Sequence, residues 1–220
     1  MEDYILRAVA ANGSVRAFAA RTTVMVNDAK QMHGLSPVAS AALGRTLTTT
    51  AIMSRLLKGD KDTITVQIKG DGPLGGIVSV ADSSSNVRGY VYNPRVDIPL
   101  NLLGKLDVAG AIGKNGYLNV IMDMGLKEPY IGFVELASGE IAEDIAYYYA
   151  YSEQIPSIVA LGVLVDPNES VICAGGLIIQ LMPRAEEGII KYLERKSGYS
   201  VQLGFSFRLY FTAMLILCIC

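Results

Sequence analysis

The 220 residues contain one histidine and three cysteines, and acidic and basic side chains nearly cancel at a formal net charge of -2. One imidazole, His33, beside many serines is no sign of a Ser-His-Asp triad, and no carboxylate spacing around it suggests a metal site. In "QMHGLSP" His33 reads as a turn or helix-entry residue. Three cysteines cannot form a disulfide framework, and Cys173 lies in an apolar run, which favours a reducing compartment. With 18% of residues charged and the signs balanced, the basic stripe of a nucleic-acid surface is absent. The start, "MEDYILRAVA", is acidic first, and its apolar stretch is too short for a secretory signal. Paired carboxylates, a phosphate loop with its Lys, and internal repeats are also missing. These absences lead to the expectation of a cytoplasmic globular protein of one large domain, or one domain plus a small appendage, whose residues by themselves reveal no catalytic, cofactor or metal site.

What is present is a change of period along the chain. Residues 14–26, "SVRAFAARTTVMV", favour a strand. Ser36 then caps a long helix with Pro37 in its first turn. Val38, Ala42, Leu43, Leu47, Ile52 and Leu56 give that helix a broad apolar face, and Gly59 is its expected stop. Ile64, Val66 and Ile68 alternate with Thr65, Gln67 and Lys69, as in a half-buried strand. "GGIVSVA", "VRGYVYN", "YLNVIMDM" and "YIGFVEL" follow as further strands between turn residues. A second helix is expected from Glu140 to about Ser152, with Ser138 as cap and Ile141, Ile145 and Tyr148 on one stripe. Two apolar strands, "IVALGVLVD" and "VICAGGLIIQLM", precede a charged helix that starts at Pro183, where Glu187 and Lys191 are spaced to pair. The pattern predicts an α+β fold: a mixed core of largely antiparallel sheets with packed helices.

Two stretches invite a chemical reading. "GDGPLGG" matches G-x-G-x-x-G at Gly70, Gly72 and Gly75, but a strand rather than a helix follows. The expectation is a structural hairpin loop, with a nucleotide-binding or small-molecule enzyme using Gly70–Gly76 as the rival. "YYYAYSEQIPS" gathers Tyr147, Tyr148, Tyr149, Tyr151, Ser152, Glu153 and Gln154. A catalytic Glu or an aromatic platform is the functional reading; a packed helix end is the preferred one.

The segments "SAALGRTLT", "IKGDGPLG", "VRGYV", "GKLDV", "YYAYSEQIPS" and "AGGLIIQLMP" occur in the order found in the redox-regulated heat-shock protein 33 chaperones, which this sequence resembles from about Asp3 to about Lys196. The resemblance implies a cytoplasmic, ATP-independent holdase, not an enzyme, that keeps unfolding proteins from aggregating during oxidative and heat stress. It implies unfolded proteins as partners, allows a homodimer, and implies a helical linker that folds over the core. It also implies a zinc domain holding the metal through a Cys-x-Cys and a later Cys-x-x-Cys pair. Cys218 and Cys220 have the first spacing but no second pair follows, so the zinc switch is expected to be missing from this chain. An inactive truncated remnant is the third reading. The expected organisation is a chaperone core over 1–182, the start of the linker over 183–196, and an atypical hydrophobic tail over 197–220. From Tyr199 to Phe211 the tail alternates like a strand, and its twelve-residue apolar run from Leu209 to Cys220 follows. As a helix that run would reach about 18 Å, short of a hydrocarbon core of roughly 30 Å, so no membrane span is expected. The tail is expected to pack on the core surface where a linker would lie.

Overall fold

The computed structural model describes residues 2–166 and 170–183, together with Ala185, Gly188 and Lys191. Among these residues the chain runs β1 (Tyr4–Ala10), β2 (Val15–Arg21), α1 (Thr23–His33), α2 (Pro37–Ser54), β3 (Thr63–Lys69), β4 (Ile77–Asp82) and β5 (Val87–Val91). It continues with α3 (Val108–Ile112), β6 (Tyr117–Asp123), β7 (Tyr130–Glu135), α4 (Ile141–Tyr151), β8 (Ser157–Val165) and β9 (Val171–Leu181). The strands form a four-stranded sheet, β1-β2-β9-β8, and a five-stranded sheet, β5-β4-β3-β6-β7. Every pairing is antiparallel, so the α+β expectation holds.

Helix α2 packs against both sheets and is the centre of the core. Ser36 caps it as expected, accepting from the Ala39 N–H, and Pro37 occupies the first turn. Two features differ from the sequence expectation. The helix ends at Ser54 rather than near Gly59, with Arg55 as its cap and Leu56 and Leu57 in the following turns. It is also buried nearly all round rather than on one face, Thr46, Thr48, Thr49, Thr50 and Ser54 included. Their hydroxyls make that possible by donating back into the helix: Thr46 to Ala42 O at 3.0 Å, Thr48 to Gly44 O at 2.8 Å, and Thr50 to Thr46 O at 2.8 Å. A buried hydroxyl without such a partner would cost about 1–3 kcal/mol.

The stretch 14–26 splits where a single strand was expected. β2 ends at Arg21 and α1 begins at Thr23. The alternation carries no signal for that switch; it is set by Asp3, whose carboxylate accepts from the Val24 and Met25 N–H groups at 3.0 and 2.8 Å. β1 and α1 have weak periodicity and escaped the sequence reading. His33 ends α1, before the left-handed Gly34, so it is a helix-exit residue rather than a helix-entry one. In α4 the stripe Ile141, Ile145 and Tyr148 is buried as expected, but Glu140 is the N-cap residue. Ser138 instead accepts from the Glu140 N–H, and the buried Asp144 carboxylate holds the Ala137 and Ser138 N–H groups.

Pro183 is where the charged helix was expected; Gly188 and Lys191 have helical backbone. The Glu187–Lys191 pairing, most of the linker stretch, the strand pattern of the tail, and Cys218 and Cys220 lie outside the described residues. Among the described residues no helix is long and apolar enough to cross a membrane.

Candidate functional site: an apolar sheet face

The Gly70–Gly76 loop is bonded to α3. Gly72 N–H donates to Ile112 O at 2.8 Å and Leu74 N–H to Ala111 O at 2.9 Å. These are carbonyls at the C-terminal end of a helix, the partially negative end, whereas phosphate is held by the N-terminal end. β4 leaves the loop where a dinucleotide fold would open a helix. The contact also explains the glycines: a Cβ on Gly72 would lie 2.4 Å from Ala111 O, and one on Gly70 would lie 2.1 Å from Ile112 O. Asp71 fastens the same turn by accepting from the Asn115 side chain at 2.6 Å, a bond that holds its carboxyl below the usual range.

The tyrosine cluster is a packed helix end. The buried Tyr148 hydroxyl donates to Glu153 Oε1 at 2.5 Å, and Tyr130 on β7 donates to the same oxygen at 3.1 Å. Glu153 thus pins the end of α4 to β7. Burial, then the hydrogen bond to Glu153, pushes the Tyr148 hydroxyl well above its ordinary value, and burial does the same for Tyr149. Neither phenol is a base at neutral pH. Tyr147 and Tyr151 lie against each other, tilted by 34° with ring centroids 4.1 Å apart, and Tyr148 and Tyr149 meet edge to face, so the four rings serve packing. Among the described residues no cluster of three His, Cys, Asp or Glu is placed to hold a metal. Cys173 is buried at 1% exposure on β9. The sequence holds three cysteines, so the residues present do not fit a four-thiolate zinc site.

One titratable group carries a pH dependence. Burial raises Asp144 from 3.8 to about 6, against the pull of the Ser138 and Ala137 N–H groups, and its Oδ2 has no partner. Because the folded value lies above the unfolded one, the native state binds this proton more tightly. Its stabilisation is full below about pH 3.8 and is lost as pH rises to about 6. A gap of that size is worth about 3 kcal/mol. Asp144→Asn keeps an acceptor for both N–H groups without the charge. In denaturant titrations from pH 4 to pH 7.5, we expect the variant to gain on the native chain by up to about 3 kcal/mol as pH rises. Parallel stability curves for the two chains would contradict this account of Asp144.

The sheets differ most in their faces. Inward, the four-stranded sheet places Phe18, Ala20, Ile178, Val159, Leu161 and Val163 in the core, all buried. Its opposite face follows from the register. One row is Leu6–Ala19–Leu177–Ala160, the next Ala8–Ala17–Ile179–Ile158, and a third Ala10–Val15–Leu181. Among the paired residues of this face Arg21 is the one charge, at a corner opposite Gly175. Leu6 is 59% exposed and Ala17, Ala19, Leu177 and Ile179 are half-buried, while Ala160, Ile158, Val15 and Leu181 are buried, so the open part of this face lies toward β1. The outward face of the five-stranded sheet is mixed: its central row is Tyr90–Val78–Gln67–Asn119–Phe133, and Arg88, Thr65 and Lys69 lie beside it. A sheet apolar on both sides is built to be covered on both sides. Val15, Ile158 and Leu181 form a small cluster on the outward face against which Ile179 and Ala185 pack.

Sequence reasoning found β8 and β9 but not this face. The available signal was that both strands are apolar runs without alternation, the mark of strands covered on two sides. The contributions of β1 and β2, Leu6, Ala8, Ala17 and Ala19, carried none, because alanine is neutral to the pattern.

Comparison with known proteins agrees with this architecture. A family model described as Hsp33 protein matches residues 3–205, extending past Lys196, where the resemblance was expected to end. The 33 kDa chaperonin of Acetivibrio thermocellus is 63% identical over 196 residues, covering 89% of this chain and 66% of that protein. The 33 kDa chaperonin of Ruminiclostridium cellulolyticum is 62% identical over 196 residues, with the same shares covered. The chain therefore spans about two thirds of the length of these relatives. The crystal structure of the 33 kDa chaperonin (heat shock protein 33 homolog) from Thermotoga maritima superposes with a TM-score of 0.83 at 40% identity, covering 96% of this chain and 73% of that one. Six ordered motifs, a shared two-sheet fold and this identity lead to one conclusion: the chain belongs to the Hsp33 family.

Proposed function

We propose that the chain is the core of an ATP-independent holdase chaperone that works in the cytoplasm, binding exposed apolar segments of unfolding proteins and keeping them from aggregating under oxidative and heat stress. The observation that carries this reading is the outward face of the β1-β2-β9-β8 sheet, apolar along whole cross-strand rows and charged at Arg21 alone among its paired residues. Burial of apolar surface is non-directional, so such a face accepts many sequences without chemistry. Nucleotide use finds no support: the glycine-loop amides of Gly72 and Leu74 are already bonded to α3. Relatives named 33 kDa chaperonin support the chaperone reading. A four-cysteine zinc switch is not complete within these three-cysteine 220 residues, so activity of this chain does not depend on oxidation.

The test is suppression of light scattering by a thermally unfolding protein, with and without peroxide, and with and without ATP. We expect suppression at near-stoichiometric chain, unchanged by ATP or peroxide. No suppression at a several-fold excess would favour an inactive remnant. Thermal stabilisation of the chain by a nucleotide would favour the enzyme reading.

A further inference from the structure

Strand β1 is exposed on both faces. Tyr4, Leu6 and Val9 are 45%, 59% and 60% exposed, and Ile5 alone of its seven residues is half-buried. It is also the outer strand of its sheet, paired with β2 from Tyr4↔Arg21 to Ala10↔Val15 without a bulge. Among the described residues no hydrogen bond reaches its other edge. Among the described residues, therefore, the outward N–H and C=O groups of alternate residues along this strand have no partner. Asp3, fastened to the start of α1, and the ladder with β2 hold that edge in place.

Free edges are normally blunted by charge, proline, bulges or brevity. Of the three other outer strands, β8 is buried over its first seven residues and irregular in register at Leu164/Val165, and the two outer strands of the five-stranded sheet carry other devices. β5 is five residues long with Arg88 exposed and Gly89 at its centre, and β7 has Gly132 inside it and Glu135 at its end. β1 has one charge, Arg7, and no proline. A second copy of this chain is a poor occupant: full-length antiparallel pairing of β1 with itself sets Arg7 opposite Arg7, and like charges directly opposed are destabilising. An extended apolar segment of another protein meets no such penalty, and its side chains would continue the Leu6–Ala19–Leu177 and Ala8–Ala17–Ile179 rows.

We propose that the free edge of β1 captures an extended, apolar segment of an unfolding protein as an added strand, so that backbone pairing supplies affinity while the neighbouring face takes its side chains. This rests on the holdase reading and narrows its clients to segments able to become extended.

The experiment uses the whole chain and two synthetic ten-residue peptides of alternating valine and threonine. One peptide is N-methylated at two adjacent central nitrogens, which blocks one donor on each edge. We expect the unmodified peptide to slow hydrogen exchange in residues 4–10, and the methylated one to bind at least about tenfold more weakly, from the lost hydrogen bonds and the methyl clash. Equal affinity of the two peptides, protection elsewhere but not in β1, or β1 protection that rises with chain concentration without peptide would each overturn it. Aggregation suppression measured on the same sample separates the two readings. Suppression without the peptide result removes edge capture and leaves the holdase. Edge capture without suppression does the reverse.

Discussion

A Gly72→Ala chain is expected to melt about 6–12 °C below the native chain, a loss of roughly 3 kcal/mol for a protein of this size. The added Cβ would lie 2.4 Å from Ala111 O, 2.5 Å from the Ile112 carbonyl carbon and 2.6 Å from Gly113 N. All three are backbone atoms, which cannot swing away as a side chain can, so loop and α3 must separate. Separation breaks the Gly72 N–H bond to Ile112 O and the Leu74 N–H bond to Ala111 O, and it loosens the entry to β4. Scanning calorimetry reads the shift directly. If the glycines served a nucleotide instead, the variant would lose ligand-dependent stabilisation and keep its melting temperature. An unchanged melting temperature would therefore refute the structural role of this loop.

The second large effect falls on function. Leu177→Lys puts a charge in the middle of the outward face, between Ala19 and Ala160 in their shared row. Leu177 is half-buried, so the longer side chain can bend toward water and the fold should lose about 1 kcal/mol. Client binding must desolvate that ammonium or leave a gap around it, at about 1–3 kcal/mol, which corresponds to about 5- to 150-fold in affinity. Aggregation suppression should then need several-fold more chain. The control is Thr65→Lys on the mixed face of the five-stranded sheet, where suppression should hold. If the two variants behave alike, the outward face of the four-stranded sheet is not the client surface.

Much of this fold was legible from local pattern. β3 to β7 were readable because their alternation records one covered face and one wet one, and the Ser36–Pro37 start of α2 was readable because capping is local chemistry. The misreadings have a common cause. α2 looks like a helix with one apolar face because threonine is polar in any sequence scale; its burial depends on hydroxyls returning to carbonyls four residues back. The break between β2 and α1 depends on Asp3, some twenty residues away in sequence. His33, read as a turn or helix-entry residue, closes α1 directly before the turn at Gly34, and the helix-entry alternative failed because α1 itself was not seen.

The sequence by itself determined the family, through six ordered motifs, and the α+β class, through periods that short-range sterics impose. It also determined that the glycine loop leads into a strand. The tertiary structure decided where apolar surface is left over. That surface is assembled from β1, β2, β8 and β9, strands more than a hundred residues apart in the chain, and only their register shows that Leu6, Ala19, Leu177 and Ala160 form one row. Periodicity reports which side of a strand is apolar, but not what lies beside or above it, because pairing and coverage are set by contacts between distant segments.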